Sequence, residues 1–148
     1  MQKNHHAIIC ASYILFVREG TVLLLKRKNT GYEDGNYSIP AGHVQKGESI
    51  QGCLIRKVEE ETGIVLKPGQ FQLAHTLHRN EVPTNGERAD FFFVCEKWDG
   101  EIQNLGPAKS DDMSWFPLNN LPVNTIPYIR QAVEKSLIYP TPYSEMYW

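Results

Sequence analysis

Cysteine is scarce in this chain. Cys10, Cys53 and Cys95 are odd in number and far apart, and no CxxC pair occurs. This argues against a disulfide framework or a thiolate zinc site, and the three thiols are expected to be buried in a reducing compartment. Charge of one sign is also lacking: 15 basic against 17 acidic residues leave a formal net charge of −2, and Lys26-Arg27-Lys28 is the sole basic run. A nucleic acid polymer is therefore not an expected partner, whereas a small anionic ligand is compatible. Long apolar runs are missing. AIICASYILFV, residues 7–17, is too short to span a bilayer. Only Lys3 precedes it as a charge, and Arg18-Glu19-Gly20 follows where a secretory signal would carry a small-residue cleavage site. Repeats, low-complexity tracts and linkers are absent too. The expectation is one domain over 1–148, cytoplasmic, with no membrane partner, as a monomer or homodimer.

What is present reads as strands, helix, strands, helix. Residues 7–17 are β-branched and aromatic and predict a strand buried on both faces; Arg18-Glu19-Gly20 turns it into a second strand, Thr21 to Arg27. NTGYEDGN at 29–36 is a loop, and YSIPAGHVQKGES is a short extended piece running into a glycine-marked loop. A helix is predicted over 49–62 with Gly63 as its left-handed stop. FQLAHTLHR and ADFFFVCEKW predict two more strands, with NEVPTNGER between them as a flexible loop. SWFPL predicts a short strand, and Ile126, Ile129, Val133 and Leu137 keep helical spacing behind Pro127. The terminal YPTPYSEMYW reads as packed coil. Together these predict a mixed sheet between helices.

The first helix is unusual in its charges. On a wheel of about 100° per residue, Cys53, Leu54 and Val58 share a sector with Ile50, and Glu59 falls opposite, toward solvent. Glu60 and Glu61 fall at roughly −80° and +20° from Ile50 instead, continuing the inward sector that begins as apolar. Carboxylates aimed at the protein body are costly unless something positive meets them. A hard divalent cation would do so, and so would ion pairs with Arg56 and Lys57; the wheel alone leaves both open. Gly52 inside the helix costs about 1 kcal/mol against alanine, and close packing on the sheet is the expected reason.

The preceding loop adds a longer pattern. Gly42, five residues, Glu48, seven residues, then Arg56-Lys57-Val58-Glu59-Glu60-Glu61-Thr62-Gly63-Ile64 resembles the Nudix box, GX5EX7REUXEEXGU, at eight of its nine specified positions. The resemblance implies an α/β/α sandwich with a mixed β-sheet and a hydrolase, dependent on magnesium or manganese, acting on a nucleoside diphosphate linked to another group. By position it makes Glu60 and Glu61 metal ligands, with the Ala41 carbonyl completing the site. It pairs Arg56 with Glu48 to fix the loop on the helix, and has Gly42 allow a tight loop. SDDMSWFPLNNLP, from Ser110, is similar to a segment of MutT-type members and implies Asp112 at the metal, with Asp111 in reserve. Arg27 is expected to bind a terminal phosphate and His43 to contact phosphates. The first-ranked substrate is a nucleoside triphosphate, cleaved to monophosphate and pyrophosphate. The alternatives are a nucleotide sugar, a dinucleoside polyphosphate, or a nucleotide-binding regulatory module with an impaired site.

The ninth position departs. Lys57 stands where the box has glutamate, and its ammonium is placed to reach Glu60 or Glu61. A fixed cation there repels additional metals and removes one candidate general base. Glu81, Glu87 and Asp112 are the expected substitutes. Tyr32, Tyr37, Phe91, Phe93 and Tyr128 are available to stack on a base. His75 and His78 fall on opposite faces of their strand and do not suggest a metal pair.

Overall fold

The computed structural model describes residues 4–106 and 108–148. A mixed sheet carries one helix on each face. The first strand, β1 (Ile9–Arg18), turns through Glu19 and Gly20, both with positive φ, into β2 (Thr21–Arg27). That two-residue geometry matches the strand twist, and glycine at the second place adopts it at no steric cost. Two short strands follow, β3 (Tyr37–Ser38) and β4 (Ala41–His43), then the helix α1 (Ile50–Thr62). The hairpin β5 (Gln72–Glu81) and β6 (Gly86–Cys95) leads to β7 (Ser110–Pro117). The chain ends in α2 (Pro127–Val133), a π-helical turn at Glu134–Ile138, and β8 (Tyr143–Met146).

β1 is the spine. It pairs parallel with β6 along one side, and on the other with β4 at residues 11–13 and with β2 at its end. Its buried side chains alternate: Ile14 and Phe16 pack with Leu54 and Val58 of α1, while Ala11, Tyr13 and Leu15 pack with Ile129, Ala132 and Val133 of α2. Fully burying a side chain such as Leu54 or Ile129 stabilises the fold by about 1.5–3 kcal/mol, and these two clusters fix α1 and α2 on their faces.

Three expectations need correction. The terminal segment is not coil, since Tyr143–Met146 pairs parallel with Thr76–Arg79 and becomes the sheet edge. The segment between β5 and β6 is mostly ladder: Asn80 pairs with Glu87 and Glu81 with Gly86, leaving residues 82–85 as the loop. Cross-strand bonding overrides its polar composition. Gly52 does not pack on the sheet. Its N–H donates to the Ser49 hydroxyl at 2.9 Å, and a side chain there would meet that same oxygen at 3.0 Å. The N-cap therefore explains the glycine.

Candidate functional site

A cavity of about 660 Å³ opens where the second half of α1 meets β4, β1 and the loop before β7. Glu60, Glu61, Ala41, His43, Lys57 and Arg27 all line it, so the structure brings six of the sequence-selected residues together.

The loop before α1 is held by a two-pronged ion pair. Arg56 Nε donates to Glu48 Oε2 at 2.6 Å and Nη2 to Oε1 at 3.0 Å. The guanidinium pulls the Glu48 carboxyl down to about 2. The Gln45 N–H also donates to Glu48, and Arg56 reaches the His43 carbonyl at 3.4 Å, which ties residues 43–48 to the helix.

Glu61 points inward, half-buried. Its Oε2 accepts the Ala41 N–H at 3.0 Å, and burial pushes its carboxyl up to about 7. Glu60 differs from its expected inward placement. It is exposed at the cavity rim, with Lys57 Nζ at 3.1 Å and Arg56 Nη1 at 3.5 Å, and the lysine holds it below the usual carboxylate range. One turn of helix thus presents one desolvated and one ion-paired carboxylate.

Lys57 lies across Gly42. A Cβ at position 42 would fall 2.2 Å from Lys57 Cγ and 2.6 Å from Cδ. Gly42 has no positive φ, so the lysine stem, and not a tight turn, is what requires glycine here. Arg27 Nε donates to the Tyr32 carbonyl at 2.8 Å and its guanidinium stacks 5.5 Å from the Tyr32 ring. His43 accepts from Arg88 Nη1 at 2.8 Å; burial and then the Arg88 charge push its pKa down, keeping the ring neutral.

Asp112 is not brought to the cavity. Along β7 its neighbour Met113 faces inward, so period-2 alternation turns Asp112 outward. There it accepts from Tyr37 Oη at 2.6 Å and Ser114 Oγ at 2.7 Å, while Asp111 lies near Lys28. Glu81 is bound by Arg79, Tyr32 and Asn85, and Glu87 sits between His6 and His78. Among the described residues, Glu60 and Glu61 are the acidic side chains lining the cavity, and no three histidine, cysteine or acidic side chains converge on one point. His75 is buried between Thr141 and Ser144, apart from His78. Of the five aromatics available to stack on a base, Tyr32 and Tyr128 line the cavity and Tyr37, Phe91 and Phe93 do not; Tyr13 lines it as well.

The donor set still fits a hard divalent cation. Glu61 is a desolvated carboxylate with one oxygen bonded and one without a partner. Glu60 and the Ala41 carbonyl supply further oxygens beside it. Magnesium characteristically takes one or two carboxylates and completes its shell with water and substrate phosphates. Sequence reading missed Arg79, Arg88 and Asn85, which also line the cavity. The signal was there as charges on inward positions: Leu77 and Arg79 on β5, and Arg88, Asp90 and Phe92 on β6, share the buried phase of their strands.

A family profile described as the NUDIX domain matches residues 8–136. The chain is 32% identical over 141 residues to an NAD-capped RNA hydrolase, NudC, of Stutzerimonas stutzeri, an alignment covering 91% of this chain and 45% of that protein. It is 30% identical over 105 residues to an ADP-ribose pyrophosphatase of Methanocaldococcus jannaschii, covering 71% and 59% respectively. The chain thus spans about half the length of these two relatives. In fold it is similar to a MutT NUDIX hydrolase from Burkholderia pseudomallei, with a TM-score of 0.80 at 25% identity over 89% of this chain and 99% of that one.

Proposed function

Because the chain belongs to the Nudix family, we propose that it is a divalent-metal-dependent pyrophosphohydrolase whose substrate is a diphosphate joined at both ends, a nucleotide sugar or a dinucleotide. The observation that carries this is Glu61, held inward by the Ala41 N–H at the cavity wall. Support for a two-ended diphosphate comes from the relatives, whose names specify NAD-capped RNA and ADP-ribose. The sequence alone ranked a nucleoside triphosphate first; the two-ended diphosphate, then an alternative, now takes that place.

A diphosphate is an anion that repels an attacking hydroxide. The bound cation would neutralise phosphate oxygens and lower the pKa of an attacking water. Glu61 and Glu60 would hold it, with the Ala41 carbonyl. The Glu48–Arg56 pair fixes residues 43–48, the loop leaving β4, against the helix, so that the ligand and phosphate contacts from Ala41 and His43 on β4 keep one geometry. Lys57 adds a fixed positive charge beside Glu60, and Arg27 adds another to the cavity lining.

One observation favours a different reading. Lys57 occupies the place of a carboxylate that would otherwise hold metal or activate water, which suits a module that binds nucleotide without cleaving it. A panel of ADP-ribose, NAD, a dinucleoside polyphosphate and nucleoside triphosphates, assayed for phosphate after phosphatase coupling with and without magnesium or manganese, separates these. Metal-dependent turnover of the two-ended diphosphates is expected, with Glu61→Gln at least about a hundredfold slower. Preference for triphosphates would replace the substrate class. Binding without turnover would favour the module.

A further inference from the structure

Arg79 on β5 and Arg88 on β6 stand directly opposite each other in their antiparallel ladder. Both are nearly fully buried, at 1% and 6% exposure, and both line the cavity. Like charges opposed across a strand pair are destabilising, and removal from water increases the repulsion. Each arginine needs an anion. Arg79 has two, with its Nε on Asp90 and its Nη1 on Glu81, and its guanidinium lies 3.6 Å from the centre of the Tyr128 ring. Arg88 has none: among the described residues no carboxylate lies within ion-pair distance of it. Its partners are neutral acceptors, the Asn85 carbonyl at 3.1 Å, Asn85 Oδ1 at 2.9 Å and His43 Nε2 at 2.8 Å.

A carboxylate is nevertheless close by. Asp90 lies two residues along the same strand in the same phase, and its Oδ1 is buried with no hydrogen-bond partner. No Arg88–Asp90 ion pair forms: Asp90 is held through Oδ2 by Arg79, its Oδ1 stays without a partner, and Arg88 stays without an anion, which is costly in a protein interior. Asn85 and His43 hold the guanidinium toward the cavity instead. The reach to His43 passes over β1, where Ala11 is in register with both His43 and Asp90, and its methyl group leaves the path open. Three of the five guanidinium N–H groups are engaged, leaving one on each terminal nitrogen, a number that suits two oxygens of one phosphate.

We propose that Arg88, held by Asn85 and His43, binds a phosphate of the substrate, the one farther from Glu60 and Glu61. This rests on the diphosphate reading and deepens it: the carboxylate wall takes the phosphate at the metal, and the arginine fixes the other so that cleavage occurs at one side of the bridge.

The test uses inorganic pyrophosphate as probe, in EDTA, so that no divalent cation contributes. Calorimetry and thermal unfolding are run on the full chain and on Arg88→Gln and Arg88→Lys. The wild type is expected to bind pyrophosphate and to melt higher in its presence. Arg88→Gln should bind about ten- to a hundredfold more weakly, the loss of one charge-assisted pair. Arg88→Lys should recover part of it, and it keeps the test decisive should the glutamine variant fail to fold. Without ligand, Arg88→Gln should melt no lower than wild type, because it removes an unpaired buried charge. Equal pyrophosphate affinity in wild type and both variants, or no binding by the wild type, overturns the proposal. The outcome is separable from the function itself: pyrophosphate binding through Arg88 with no cleavage of any diphosphate would overturn the hydrolase reading and leave this subsite standing.

Discussion

At position 57 the chain places a cation inside an acidic site, and the consequences are local. Lys57→Glu removes the pairing with Glu60 at 3.1 Å and restores a third carboxylate on the cavity side of α1. Magnesium-dependent turnover is expected to rise about tenfold or more, and titration with manganese should show tighter binding. A loss of activity would give the lysine itself a catalytic part. Glu61 sets the pH response. Its carboxyl is raised in the folded protein to about 7 from an ordinary 4.5, so between those values the folded state holds a proton that the unfolded state has lost. Stability of the metal-free protein is therefore greatest below about pH 4.5 as far as this group contributes, and falls as pH rises toward 7, by at most about 3 kcal/mol and by less as solvent screens the half-buried group. Glu61→Gln should flatten that slope in thermal unfolding measured across pH. Manganese affinity of the wild type should also fall below pH 7, as protons compete for the same oxygen.

At the scale of elements, α1 was legible almost to the residue. Gly63, at φ 80°, ends it as the sequence predicts, and Ser49, read from the sequence as the first helical residue, is its N-cap. Ser49→Ala is expected to cost about 1 kcal/mol, seen as a melting point lower by about 2–4 °C. The Glu48–Arg56 pair was legible through the spacing of a long pattern, because all its members lie within one loop and one helix. What stayed hidden depends on strands meeting across the sheet. Arg79 and Arg88 come to the cavity through the register of β5 on β6, Asn85 through the loop that joins these strands, and Asp112 is lost to it through the phase of β7. A charged residue in a strand does not announce whether its inward phase meets core or cavity. Glu60 was misplaced for a related reason: a wheel gives an angle, but Arg56 and Lys57, its helical neighbours, draw the carboxylate outward to the rim.

For the whole molecule, the sandwich was foreseeable from the alternation of apolar strands and helices, whereas its closure at one edge was not. β8 covers Thr76–Arg79 of β5, and His75 just before that stretch bonds the Thr141 carbonyl and the Ser144 hydroxyl. Removing residues 143–148 should leave a long unpaired edge on β5 and an imidazole ring nitrogen without its partner. The truncated chain is expected to melt several degrees lower and to self-associate, as light scattering would register.

The lysine laid over Gly42 also bears on how this site can vary. With the stem where it is, even a methyl group at 42 would displace it, so position 57 must shorten before position 42 can grow. A lineage or a designer starting from this sequence meets a one-way gate: alanine at 42 first is penalised, alanine at 57 first is not, and the order of two steps decides which variants are reachable.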